Sequence, residues 1–73
     1  MALNENLRKF GRHLAELRKE KGISQSELAR RMDKDPQSYQ RVESGNINPT
    51  LEYLQEVAKV LKLTLSELFD GFE

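Results

Sequence analysis

Gln37, Gln40 and Arg41 place two amides and a guanidinium on one short segment, residues 35–45, whose apolar residues are Tyr39 and Val42. Amides and guanidinium groups present paired hydrogen-bonding atoms in a fixed plane, which suits the edge of a base pair. The residues needed for bond-making chemistry are missing. The chain has no cysteine and a single histidine, His13, and no motif places a base beside Ser24. It contains no metal-ligand cluster and no glycine-rich phosphate loop, so an enzyme is a remote reading and neither a metal nor a cofactor is expected.

A groove-reading face needs a short helix held rigidly by another, and the flanking residues spell one. Ser24-Gln25-Ser26-Glu27 has the form of a capping box that opens a helix with Leu28, Ala29 and Met32 on its inner side. Asp33-Lys34 forms the turn. Asp35 is a favourable N-cap for the next helix, and Pro36 at its first position loses no needed hydrogen bond. Gly45 ends that helix. Before this pair, Leu7, Phe10, Leu14 and Leu17 recur at helical spacing, with Asn4 as N-cap and Gly22 as the residue that stops the helix. Gly11 inside it costs about 1 kcal/mol relative to alanine, which implies close helix packing there. After the pair, Thr50 caps a helix with a stripe of Leu51, Leu54, Val57, Ala58 and Leu61. Thr64-Leu65-Ser66-Glu67 is a second capping box, opening a short last helix with Leu65, Leu68 and Phe69. No stretch alternates with period two for long enough to argue for a strand. The expected fold is all-α, with about five helices.

Seventy-three residues allow one domain, 1–73, and 37% hydrophobic against 33% charged residues leaves only a small core. A core of this size supplies about 3–5 kcal/mol, so association with a second copy is a natural source of further stability. There is neither a signal-peptide run nor a stretch of 18 apolar residues, so a cytoplasmic protein with no membrane partner is expected. Net charge is zero, but residues 1–45 hold ten basic against seven acidic side chains, and residues 46–73 hold two against five. The halves therefore carry +3 and −3, a polarity suited to approaching a polyanion with one end.

The run from Arg18 to Ala29, RKEKGISQSELA, resembles the opening of the phage-repressor and Cro-like helix-turn-helix family, the xenobiotic-response-element type of transcriptional regulator. Val42-Glu43-Ser44-Gly45, Asn48-Pro49-Thr50 and Leu63-Thr64-Leu65-Ser66-Glu67-Leu68 resemble its later landmarks, so the likeness runs from about Leu7 to Phe69. It implies a five-helix, lambda-repressor-like domain that binds double-stranded DNA sequence-specifically, with the helix-turn-helix at about 24–45. By position in the family, Gln37, Ser38 and Arg41 match base-reading or backbone contacts. Gln25, Asn46, Asn48 and Thr50 match contacts to the DNA backbone. Arg18 and Glu43 match a buried ion pair of structural role. The family also implies a dimer, with two reading helices in successive major grooves of a palindromic operator.

The chain departs from the family at three neighbouring positions. Asp33 replaces the usual turn glycine, and Lys34 replaces a small apolar residue, so its stem must run over the core while its ammonium stays in water. Pro36 stands where relatives often place a base-reading side chain, and it offers only apolar contact, as to a thymine methyl. Without the family spacing, Gln37, Ser38, Gln40 and Arg41 would read as an ordinary solvated face. Tyr39 reads as core with its hydroxyl at the edge, His13 as an exposed helix residue, and Arg12 as the surface cation best able to approach a phosphate. Some of Leu65, Leu68, Phe69 and Phe72 must close the core beneath the first helix. Four large apolar side chains in the last nine residues are still more than a terminal turn should bury. The helix and tail at about 64–73 are therefore expected to form a homodimer contact, with Phe72 partly exposed in the monomer. The competing function class is an antitoxin-like module that binds a protein partner and touches DNA secondarily.

Overall fold

Five helices make up the described residues, 2–72, of the computed structural model: α1 (Ala2–Glu20), α2 (Gln25–Arg31), α3 (Pro36–Ser44), α4 (Leu51–Val60) and α5 (Leu65–Phe69). No strand occurs among these residues, so the all-α expectation holds. α1 begins at Ala2, which corrects the placement of its N-cap at Asn4: nothing in the residues before Asn4 breaks a helix, and Asn4 lies inside it.

The other starts follow the cap signals. Ser24 Oγ accepts from the Glu27 N–H at 3.0 Å, Asp35 Oδ2 from the Ser38 N–H at 3.2 Å, and Thr50 Oγ1 from the Tyr53 N–H at 3.0 Å. At Thr64 the capping box is complete, because the Thr64 N–H also donates to Glu67 Oε1 at 2.8 Å. At Ser24 it is only half formed. The Glu27 carboxylate turns away to Arg30 and Arg31, its contact with Arg31 Nε being 2.7 Å.

Four helices end in the same way, with one residue in left-handed backbone after the last turn. Gly22 and Gly45 fill this place at φ 71° and 81°, and Asp33 and Lys62 at φ 58° and 60°. At each, the following N–H reaches back five residues: Ile23 to the Arg18 carbonyl, Lys34 to Ala29, Asn46 to Arg41 and Leu63 to Ala58. This is the Schellman closure, which satisfies carbonyls the helix leaves free.

The core is assembled from all five helices, with Phe10, Leu14, Leu28, Tyr39, Val42, Val57, Leu61 and Leu68 among its buried members. α1 crosses α3 at Gly11, where an added Cβ would lie 2.0 Å from the Glu43 carbonyl oxygen, as the packing reading of that glycine requires. Leu51 does not join the apolar stripe: it is 60% exposed at the first position of α4, one turn ahead of the buried Leu54. His13 is likewise not simply exposed. Its ring lies half-buried between α1 and the chain end, with Nε2–H donating to the Leu68 carbonyl at 2.7 Å.

Candidate nucleic-acid interface

The residues that fix α3 meet at a single buried carboxylate. Glu43, near the end of α3, accepts from Arg18 Nε at 2.7 Å on Oε2 and from Arg18 Nη2 at 3.0 Å on Oε1. Gln25 Nε2 donates to the same Oε1 at 2.7 Å, and the Tyr39 hydroxyl donates to Oε2. A carboxylate has about four acceptor sites, so these four donors saturate it. The remaining Arg18 nitrogen, Nη1, donates to the Ile23 carbonyl at 2.9 Å, which ties the α1–α2 turn to the same point.

The electrostatics follow from this arrangement. Burial alone would raise the Glu43 pKa, but the bonds from Arg18, Tyr39 and Gln25 outweigh it and hold the carboxyl below its ordinary range. The Glu43 hydrogen bond raises the Arg18 pKa, and burial, then the bond to Glu43, raises that of Tyr39. The ion pair is therefore fully formed at neutral pH. One carboxylate locks the two halves of the helix-turn-helix to α1.

With Tyr39, Val42 and Glu43 turned inward, the opposite side of α3 is left to solvent. Gln37, Ser38, Gln40 and Arg41 are all exposed. At about 100° per residue, Gln37 and Arg41 are one turn apart and point most directly away from the buried side. Gln40 and Ser38 lie on the two flanks. The side chains of Gln37 and Arg41 make no hydrogen bond or ion pair among the described residues, so their donors are available to an incoming partner.

The connection from α3 to α4 carries the next group. Asn46 and Asn48 are exposed, and Ile47 between them packs on the core. Thr50 follows as the N-cap of α4. Gln25 differs from its neighbours in the expected backbone-contact set, because its amide is already committed to Glu43.

At the chain end, Leu65, Phe69 and Phe72 are half-buried, whereas Leu68 is fully buried. Leu68 therefore has no surface for a second protomer, which corrects its place in the dimer contact. Phe69 stacks on Phe10 and Phe72 meets the same ring edge-on, both at 5.1 Å between centroids. α1 thus covers more of the tail than the apolar count alone suggested.

Sequence reasoning missed three of these features. The Tyr39 hydroxyl, expected at the edge, is an internal donor to Glu43, and the i, i+4 spacing of the two residues on α3 carries that signal. The Gln25 amide has no such local signal, since it meets Glu43 across 18 residues. The His13 clasp on Leu68 spans 55 residues and has none either.

Residues 14–68 match the model of the family described as Helix-turn-helix. The chain is 39% identical over 72 residues to the control protein C.MunI of a Mycoplasma species, with 97% of each chain covered. It also resembles the crystal structure of the restriction-modification controller protein C.AhdI from Aeromonas hydrophila, with a TM-score of 0.84 and 38% identity. That match covers 89% of this chain and 98% of the other.

Proposed function

The chain belongs to the helix-turn-helix family of DNA-binding transcriptional regulators, and from that premise we propose that it is a controller of a restriction-modification system. It binds a palindromic operator as a dimer, with α3 of each protomer in the major groove. The observation that carries this reading is the exposed edge of Gln37 and Arg41 on a helix fixed from behind by the saturated Glu43 carboxylate. A reader must present its donors in one geometry, and a buried, fully satisfied network supplies that rigidity. The similarity to two controller proteins over most of the chain favours the regulator over the antitoxin-like module.

In this reading Arg41 pairs with guanine O6 and N7, Gln37 pairs with adenine, and Ser38 contacts the flank of the site. Asn46, Asn48 and the Thr50 hydroxyl meet the sugar-phosphate backbone, and Gln25 does so with whatever capacity its bond to Glu43 leaves. The loop at residues 46–49 holds no lysine or arginine, so the salt dependence of binding is shallow. Leu65, Phe69 and Phe72 supply apolar surface for the second copy. A cytoplasmic location fits a DNA-binding regulator of this family, and no described helix is long and apolar enough to cross a membrane.

In vitro selection of bound DNA tests the proposal. The expected product is a palindromic consensus, and Arg41→Ala and Gln37→Ala each erase base preference at one symmetric position per half-site. Failure to enrich any sequence at low salt would rule out base reading by this face.

A further inference from the structure

We propose that Pro36 is a specificity-determining residue that reads the C5-methyl group of a pyrimidine, whether thymine or 5-methylcytosine, at the step beside the one taken by Gln37. This rests on the DNA-reading function above and assigns it an additional contact. Pro36 is exposed at the first position of α3. A recognition helix meets base edges with its N-terminal residues, so the ring stands where base contacts are made. Its neighbours do not cover it. The Asp35 carboxylate turns to the Ser38 N–H, and the ring borders a depression that Ser24, Ser26, Glu27, Arg30, Asp33 and Lys34 also line.

The chemistry of the ring selects its partner. Proline has no N–H, and its side chain has no donor or acceptor. On the major-groove edge the only apolar group of any base is the methyl at C5 of thymine, and methylation of cytosine at C5 creates the same group. A donor or acceptor pressed against Pro36 would lose its water without replacement, which costs more than an unmade contact does. The residue therefore favours a methylated pyrimidine and disfavours unmethylated cytosine. For a protein whose relatives control restriction-modification systems, the consequence is that cytosine C5 methylation within the operator changes its affinity.

The experiment uses the full chain and the duplex obtained by selection. Each symmetric pair of thymines is replaced by deoxyuridine, and each pair of cytosines by 5-methylcytosine, with binding followed by fluorescence anisotropy. One position per half-site should respond: removal of its methyl weakens binding, or addition strengthens it, by roughly three- to fivefold per half-site. Pro36→Ser, which keeps a residue compatible with the helix start, should lose this response, whereas Gln37→Ala should retain it. Thermal melting followed by circular dichroism establishes that Pro36→Ser is folded. A selected operator on which the wild type and Pro36→Ser respond alike to every methyl change overturns the role of Pro36 and leaves DNA reading intact. Failure to select any operator overturns both.

Discussion

Gly11 lies directly against the backbone of Glu43, so close that a Cβ at residue 11 would sit 2.0 Å from the Glu43 carbonyl oxygen and 2.6 Å from its carbon. The same α1–α3 crossing delivers Arg18 to the Glu43 carboxylate. Close approach of the two helices is thus a condition for the buried network that holds the reader. On an exposed helix, Gly→Ala would stabilise by about 1 kcal/mol. Here the clash is with backbone, which cannot swing aside, so overpacking outweighs propensity. Gly11→Ala should destabilise the fold by about 3 kcal/mol or more. Against the small stability expected of this core, that leaves a substantial unfolded population at 37 °C, measurable by urea denaturation.

The second prediction concerns pH. Glu43 has its pKa held below the ordinary carboxylate value in the folded state. A depressed folded-state pKa means that the unfolded chain binds the proton more readily. The stabilisation is therefore present above the unfolded value, about 4.3, and is lost as pH falls through the folded one. Glu43→Gln removes this dependence. At pH 7 it should cost about 3–5 kcal/mol, because Arg18 is left buried without its counter-charge. Denaturation curves at pH 7 and at pH 3 should show the gap between wild type and variant closing in acid. A gap that stays constant would mean that the carboxylate is not charged in the folded protein.

Much of this architecture is legible in the chain because its signals are local. Ser24, Asp35, Thr50 and Thr64 each cap the helix that follows, and cap chemistry depends only on residues within one turn. Arg18–Glu43 is legible from the family spacing alone, since the partners are 25 residues apart. Leu51 was misplaced because periodicity gives the direction of a side chain but not where along the helix the core ends. Leu68 and His13 were misplaced for a related reason. How far the tail folds back on α1 depends on Phe10 meeting Phe69 and Phe72, which no local pattern encodes.

Lys62 and Asp33 occupy left-handed backbone that glycine enters without strain. The left-handed conformation costs an ordinary residue roughly 1–2 kcal/mol, and glycine returns about half of that through the entropy it loses on folding. Lys62→Gly should therefore stabilise by about 0.5–1 kcal/mol, seen as a rise in Tm. Asp33→Gly should gain less, because aspartate tolerates this region better than lysine does. Equal gains at both positions would contradict the assignment of the difference to side-chain type.

The last prediction separates dimerisation from base reading. Leu51 is 60% exposed, one turn before Leu54, which lines a groove together with Asn6, Leu7, Phe10, Asn48, Pro49, Phe69 and Phe72. The dimer contact proposed above for Leu65, Phe69 and Phe72 is expected to extend to Leu51, the one large hydrophobic side chain exposed among the described residues. Burying a leucine side chain contributes about 1.5–3 kcal/mol, so Leu51→Glu should weaken self-association by roughly ten- to a hundredfold. Leu51 is neither in the buried core nor among the side chains packed against it, so the thermal stability of the isolated protomer should change little. Sedimentation equilibrium reads the association, and anisotropy on a full palindrome and on a single half-site reads the consequence. Affinity for the palindrome should fall while the half-site, bound by one protomer through Gln37 and Arg41, is held as before. Unchanged sedimentation of Leu51→Glu would move the dimer contact away from the start of α4.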